Sequence, residues 1–316
     1  MIVMGANGSS GTDCDVVVVG GGAAGLSAAL LLVRARRRVV VVDGSEPRNA
    51  PAAHVQGFLT RDGVEPTAFL EAGRAEVTGY GGRIVRGLVD TAVPLDGGFA
   101  VLLDDGDALR ARRLVVATGL RDELPGIPGV RERWGRDVLH CPYCHGYEVR
   151  DRPVGVLGTS PGAVFHAQLV RQWSDDVVLF AHTLDLSDED RVRLDARGVR
   201  VVEGVVSRVR VVDDVLRGVE VDGEVVAREA VFVVPRMVPR DSLLTGLGCA
   251  VGEGGWVTVD RSGLTSVPGV WAAGNVVDPR ALVVTSAGMG SAAGFAVNVD
   301  LVEEDVAEAM AVGAGR

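Results

Sequence analysis

The apolar residues of this chain fall into short runs closed by small-residue turns, and the stretches after two of those turns carry a helical period. Residues 16–19 read as a buried strand, Gly20-Gly21-Gly22-Ala23-Ala24-Gly25 as a turn, residues 26–36 as a helix and residues 38–42 as the next strand, which Asp43 closes. The run over residues 16–33 is apolar enough to resemble a membrane span, but three glycines interrupt it and Arg34 follows directly, so strand-turn-helix is the reading. After a mixed region over residues 48–109, Leu114-Val115-Val116 reads as a strand ending in Ala117-Thr118-Gly119. A second strand-turn-helix follows: strand 154–157, turn Gly158-Thr159-Ser160-Pro161-Gly162-Ala163, helix 164–173. A strand at 231–234 ends at Pro235, the segment Gly269-Val270-Trp271-Ala272-Ala273-Gly274-Asn275 comes next, and a final helix is expected over 285–310. The repeat predicts an α/β chain with two Rossmann-like dinucleotide-binding domains in three layers. The stretch Leu124-Pro125-Gly126-Ile127-Pro128-Gly129 reads as a linker at a domain boundary.

Composition narrows the picture. With 316 residues, 47% of them hydrophobic, the chain is long enough for two ordinary cores. A net charge of −10 argues against nucleic acid or an anionic membrane as the main partner. All 32 basic residues are arginine, a compositional bias from which nothing mechanistic follows, and the arginines at 34, 36, 37 and 38 read as a solvated helix end. Residues 1–13 are rich in Gly and Ser, lack the charged start and apolar run of a secretory signal, and read as a flexible tail; a cytoplasmic location is expected. Cys14 and Cys249 sit far from any partner, so structural disulfides are not indicated. His54, His166 and His182 read as surface or satisfied structural residues.

The candidate chemistry lies in two places. In the first turn, Gly20 permits the sharp bend, Gly22 lets backbone approach a pyrophosphate and Gly25 allows close helix packing, while Asp43, eighteen residues beyond Gly25, stands where an acid accepts hydrogen bonds from an adenosine ribose. The second place is His140-Cys141-Pro142-Tyr143-Cys144-His145-Gly146-Tyr147-Glu148, a Cys-x-x-Cys redox pair flanked by histidines. A histidine with a pKa near 6.5 accepts a thiol proton at neutral pH far better than an ionised Asp. Four metal ligands from six consecutive residues suit tetrahedral geometry poorly, so no metal is expected.

With the first glycine turn, Ala117-Thr118-Gly119, the Cys-x-x-Cys and Ala273-Gly274-Asn275 in this order, the chain resembles the low-molecular-weight thioredoxin reductases over essentially its whole length. The resemblance implies an FAD-binding domain over 1–122 and 245–316, an inserted NAD(P)H-binding-like domain over 123–244 carrying the redox pair, and a homodimer. It assigns FAD to Gly20, Gly22, Ala23, Ala24, Gly25, Asp43, Gly44, Arg48, Asn49, Ala117, Thr118, Gly119, Gly274, Asn275, Ser286 and Ala287.

Three departures redirect the expectation. Ser160 and Pro161 crowd the second turn, and Phe180-Ala181-His182-Thr183-Leu184-Asp185 lacks the His-Arg-Arg run that grips the 2′-phosphate of NADPH. Losing two charged hydrogen bonds of about 1.5–3 kcal/mol each weakens NADPH about a hundredfold or more. His145 follows the second cysteine where the reductases carry Asp, a pattern that looks like the flavin-dependent dithiol oxidases of the gliotoxin and holomycin type; Asn275 and Asn298-Val299-Asp300-Leu301 look closer to that group as well. This second resemblance implies oxidation of a small-molecule dithiol to a disulfide, with FAD as cofactor and electrons passed to O2, giving H2O2. Cys141 would exchange with substrate, Cys144 face the flavin, His145 shuttle protons with His140 behind it, and Asp300 orient a histidine. The alternative is a thioredoxin-disulfide reductase using NADPH or another donor such as ferredoxin.

Overall fold

The computed structural model describes residues 13–314, so the tail read over residues 1–13 lies outside the described residues apart from Asp13. The described chain forms two compact units, one comprising residues up to 47, 67–121 and 239 onward, the other residues 48–66 and 122–238.

In the first unit, β1 (Cys14–Val19) is buried at every position, as a central parallel strand covered on both faces must be. It leads into α1 (Ala23–Arg34), β2 (Val39–Asp43), α2 (Pro66–Gly79), β3 (Arg83–Arg86) and the run β4 (Val89–Leu95), β5 (Gly98–Leu103) and β6 (Ala108–Val116). β1 lies between β2 and β6, parallel to both, with Val17 beside Val40 and Leu114. The strand order β3-β2-β1-β6 reverses direction at β1, so the crevice beyond its carboxyl end is the switch point where such sheets bind ligands. The helix starts earlier than its apolar period shows, because the amide of Leu26 already donates to the Gly22 carbonyl at 2.9 Å.

The second unit takes in β7 (Leu120–Glu123) from Asp122 onward, then α3 (Val130–Arg133), β8 (Val138–Leu139), α4 (Pro142–His145), β9 (Val154–Leu157), α5 (Gly162–Val170), β10 (Val177–Phe180), α6 (Asp188–Ala196) and β11 (Arg200–Val202). Next come the antiparallel strands β12 (Val206–Val212), β13 (Val215–Val221) and β14 (Glu224–Ala227), then β15 (Ala230–Val233) and β16 (Arg236–Pro239). The parallel sheet runs β11-β10-β9-β15-β8. Leu124–Gly129 is not a spacer: Ile127 is buried with Val130, Val138, Val209 and Val231, and Leu124 packs against that core. Proline and glycine punctuate this stretch without freeing it, since its apolar side chains have a core to enter.

The chain returns to the first unit through α7 (Ser242–Gly246), β17 (Val270–Ala272), which pairs with β6, and α8 (Val283–Ala314). α8 packs directly on α1; a Cβ at Gly290 would lie 1.9 Å from the Ala24 carbonyl oxygen, so the helices meet backbone to backbone. The same approach corrects the solvated reading at Arg37, which donates to Asn298 at 2.8 Å and to Asp305 at 2.7 Å because α8 carries its polar side chains back to the end of α1. Arg34, Arg36 and Arg38 are exposed, Arg38 pairing with Asp15 of β1.

Candidate active site

The first glycine turn is shaped by contacts a side chain would break. Gly20 has φ +104°, and a Cβ there would lie 2.4 Å from the Ala117 carbonyl oxygen; at Gly25 it would lie 1.8 Å from the Gly20 oxygen. Gly22 differs, with nothing within 4 Å of where a Cβ would stand. α1 begins beside it at Ala23 and Ala24 without a side-chain cap or an acidic residue in its first turn, so an open, positively polarised helix end faces that space. Asp43 accepts the Gly21 amide at 3.1 Å and Arg74 at 3.0 Å; Arg74 carries no sequence signal, since α2 alone brings it there. Gly44 packs against Leu88. The Ala117 amide donates to Val19 at 2.7 Å, Thr118 Oγ1 donates to the Arg240 carbonyl at 2.6 Å, and the Gly119 carbonyl accepts the Arg240 amide at 2.9 Å. Gly274, at φ +79°, lies against Ala24 and Ser286, with Ala287 next along α8. Asn275 donates to the carbonyls of Asp278 and Ala281, fixing the turn ahead of α8. This set fits FAD: an open anion cradle at Gly22, an acid at the second strand end and small residues around the cradle. Arg48 and Asn49 belong to the second unit, where Arg48 donates to both carboxylate oxygens of Asp122 at 2.8 Å.

In the second unit Cys141 and Cys144 form a disulfide with Cα atoms 5.2 Å apart. Cys141 caps the short helix α4, its Sγ accepting the Cys144 amide at 3.2 Å, an arrangement that favours thiolate once the bond opens. Tyr143, 65% exposed, packs edge-on to Trp173. His140 and His145 are both half-buried, and burial pushes both imidazoles below the ordinary histidine range. For His140 the Val233 carbonyl and Asp122 oppose that effect and Arg48 adds to it; for His145 Glu148 opposes it. Glu148 accepts from Gln56 at 3.1 Å. Both histidines are therefore neutral proton acceptors near pH 7. His166 is 7% exposed, stacks on His140 with centroids 5.6 Å apart, and has a buried Nε2 without a hydrogen-bond partner. It is not the satisfied structural residue that its isolated place in an apolar helix implies; the β8–β15–β9 order brings α5 over the redox motif. His54 is exposed, and His182 accepts the Val206 amide at 3.0 Å. Cys14 and Cys249 are free and buried. Asp300, in the first unit, pairs with Arg113. Among the described residues no group of three or more metal-binding side chains occurs.

The second glycine turn borders a cavity of about 410 Å³ lined by Thr159, Ser160, Pro161, Thr183, Asp185 and Asp190 among others, and its charged liners are acidic. The hydroxyls of Thr159 and Ser160 are buried without partners.

The chain belongs to the pyridine nucleotide-disulphide oxidoreductases, whose family model matches residues 14–292. FAD is implied by that family. The chain is 68% identical to HlmI over 95% of its length and 96% of that crystal structure, with a TM-score of 0.93. It is 30% identical to thioredoxin reductase sirT from Leptosphaeria maculans, covering 82% of this chain and 86% of that one. A match at 33% to "Probable thioredoxin reductase" from Arthroderma benhamiae covers 48% of this chain and spans 39% of that relative. The protein is thus a thioredoxin reductase-like oxidoreductase. No helix among the described residues is long and apolar enough to cross a membrane.

Proposed function

We propose that this protein is an FAD-dependent oxidase of small-molecule dithiols, acting as a homodimer in the making of sulfur-containing natural products and independent of NADPH. The observation that carries the reading is the charge of the second cradle: Asp185 and Asp190 line its cavity, and Asp185 ends the segment in which the reductases that the chain resembles carry the run gripping the 2′-phosphate of NADPH. Two carboxylates repel that group, and His182 is already engaged with Val206. Electrons then come from thiols. A substrate thiol gives its proton to His145 or His140, and the thiolate attacks Cys141 Sγ, breaking the disulfide and releasing Cys144 as a thiolate that takes up a proton. The second substrate thiol, deprotonated in turn, attacks the substrate sulfur of the mixed disulfide and expels Cys141. Substrate leaves as a disulfide and the protein holds two thiols. The cradle at Gly20, Gly22, Gly25 and Asp43 would hold FAD, which would supply the acceptor for the electron pair released as the Cys141–Cys144 disulfide re-forms, with O2 as the final acceptor giving H2O2.

The fungal relatives are named as thioredoxin reductases, which favours a second reading: a thioredoxin-disulfide reductase fed by NADPH or by another donor such as ferredoxin. One experiment separates the two. The yellow protein is mixed anaerobically with dithiothreitol or NADPH, and the flavin absorbance is followed before air is admitted. Bleaching by dithiothreitol but not NADPH, with colour and peroxide returning in air, is expected; rapid bleaching by NADPH makes the protein a reductase.

A further inference from the structure

His166 lies outside the redox motif in sequence and against it in space. It sits in α5, 7% exposed, with its ring nearly parallel to that of His140, 8° between the planes and 5.6 Å between centroids. Phe232 covers another side of the ring at 5.8 Å. Its Nε2 has no partner, and a buried polar atom left unpaired in a folded core needs a reason. A phenyl side chain would fill this place and cover the His140 ring without that penalty.

The reason lies in what His140 needs. Its Nδ1 faces the Val233 carbonyl at 3.2 Å, so Nδ1 carries the proton and Nε2 is the basic nitrogen. That tautomer is useful only if the ring cannot turn over. The Val233 contact holds one edge, and the stacked His166 ring blocks rotation about χ2. A cationic neighbour would repel a protonated His140, but His166 stays neutral because burial pushes it down to about 4. The other titratable and charged groups acting around His140 are Arg48 and Asp122, which pair with each other, and His145.

We propose that His166 is a positioning residue, which holds His140 in one orientation with Nε2 free to exchange a proton with the thiol of Cys141. The inference deepens the proposed dithiol chemistry by assigning His140 to the substrate-facing sulfur. It can be tested on the reduced protein alone.

The test is the pH dependence of iodoacetamide alkylation of Cys141 in the phosphine-reduced holoprotein, located by peptide mass mapping, in wild type, His166→Leu, His140→Gln and the double variant. In wild type, titration of His140 should mark the profile. In His166→Leu the ring loses its stack and meets water, so that inflection should rise by about half a pH unit or more toward the ordinary histidine value. Anaerobic flavin bleaching by dithiothreitol should slow about tenfold, the order expected when a group orienting a working imidazole is lost. In the His140→Gln background the Leu substitution should change neither readout, because it acts through His140. Equal effects with and without His140, or a profile unmoved by His166→Leu, overturn the proposal. If His166→Leu does not fold, His166→Asn, which keeps an N–H donor but no ring, is measured the same way and should show the same direction of shift. Failure of wild type to bleach with any dithiol counts against the oxidase reading and leaves the alkylation result to decide the role of His166.

Discussion

His166 also makes a prediction about stability. Its pKa of about 4 in the folded protein lies below the ordinary 6.5, because burial disfavours the charged form. Above pH 6.5 neither the folded nor the unfolded chain protonates it, and its effect on stability is nil. Between 6.5 and 4 only the unfolded chain takes up the proton, so stability falls as the pH drops through that window. At pH 5 this one group costs about 2 kcal/mol. Burial lowers His140 and His145 as well, which adds in the same direction, whereas Asp15 and Asp305, held low by arginines, stay ionised in both states at pH 5. Urea unfolding at pH 7.5 and pH 5 should therefore show a large acid loss in wild type. In His166→Leu that difference should shrink by about 2 kcal/mol; an unchanged difference would mean that His166 is not buried in its neutral form.

Among the elements, the crossing of α1 and α8 supports the dinucleotide cradle most directly. Ala24 lies in the first turn of α1, beside the open space at Gly22, and its carbonyl is the atom a Cβ at Gly290 would strike. Gly290→Leu forces the helices apart and should destabilise the protein by at least about 1–3 kcal/mol, with loss of bound flavin. Gly288 stands two residues away in the same helix with nothing within 4 Å of a Cβ. Gly288→Ala should keep its flavin and gain up to about 1 kcal/mol from helix propensity. Thermal unfolding together with flavin content per chain checks both; similar behaviour of the two variants would show that the close contact is not what holds α8.

Over the molecule as a whole, one architectural unit occurs twice with different linings. Both helices begin without a side-chain cap or an acid in the first turn, but the first cradle opens at Gly22, whereas the second has Ser160 in the turn, Pro161 ahead of α5 and Asp185 and Asp190 along its cavity. If charge excludes the 2′-phosphate, a triple variant with Ser160→Gly, Thr183→Arg and Asp185→Arg should bind 2′,5′-ADP about a hundredfold more tightly than wild type, the worth of two charged hydrogen bonds. Calorimetry reads the affinity directly. Equally weak binding by both proteins would remove charge as the explanation.

What the sequence determined by itself is what local pattern encodes. The short apolar runs mark the parallel strands, and glycine spacing marks the first turn, since only that residue type tolerates the φ at Gly20 and the contact at Gly25. The ring closed by Cys141 and Cys144 was legible because its two ends lie three residues apart. Tertiary structure decided everything that depends on distant segments meeting. Leu124–Gly129 became part of a core because β12 and β13 offered one, Arg37 became a clamp because α8 returned to α1, and Arg74 reached Asp43 across α2. His166 shows the difference most clearly: 26 residues from His140 in the chain, nothing local marks it, and only the order of β8, β15 and β9 lays one imidazole on the other.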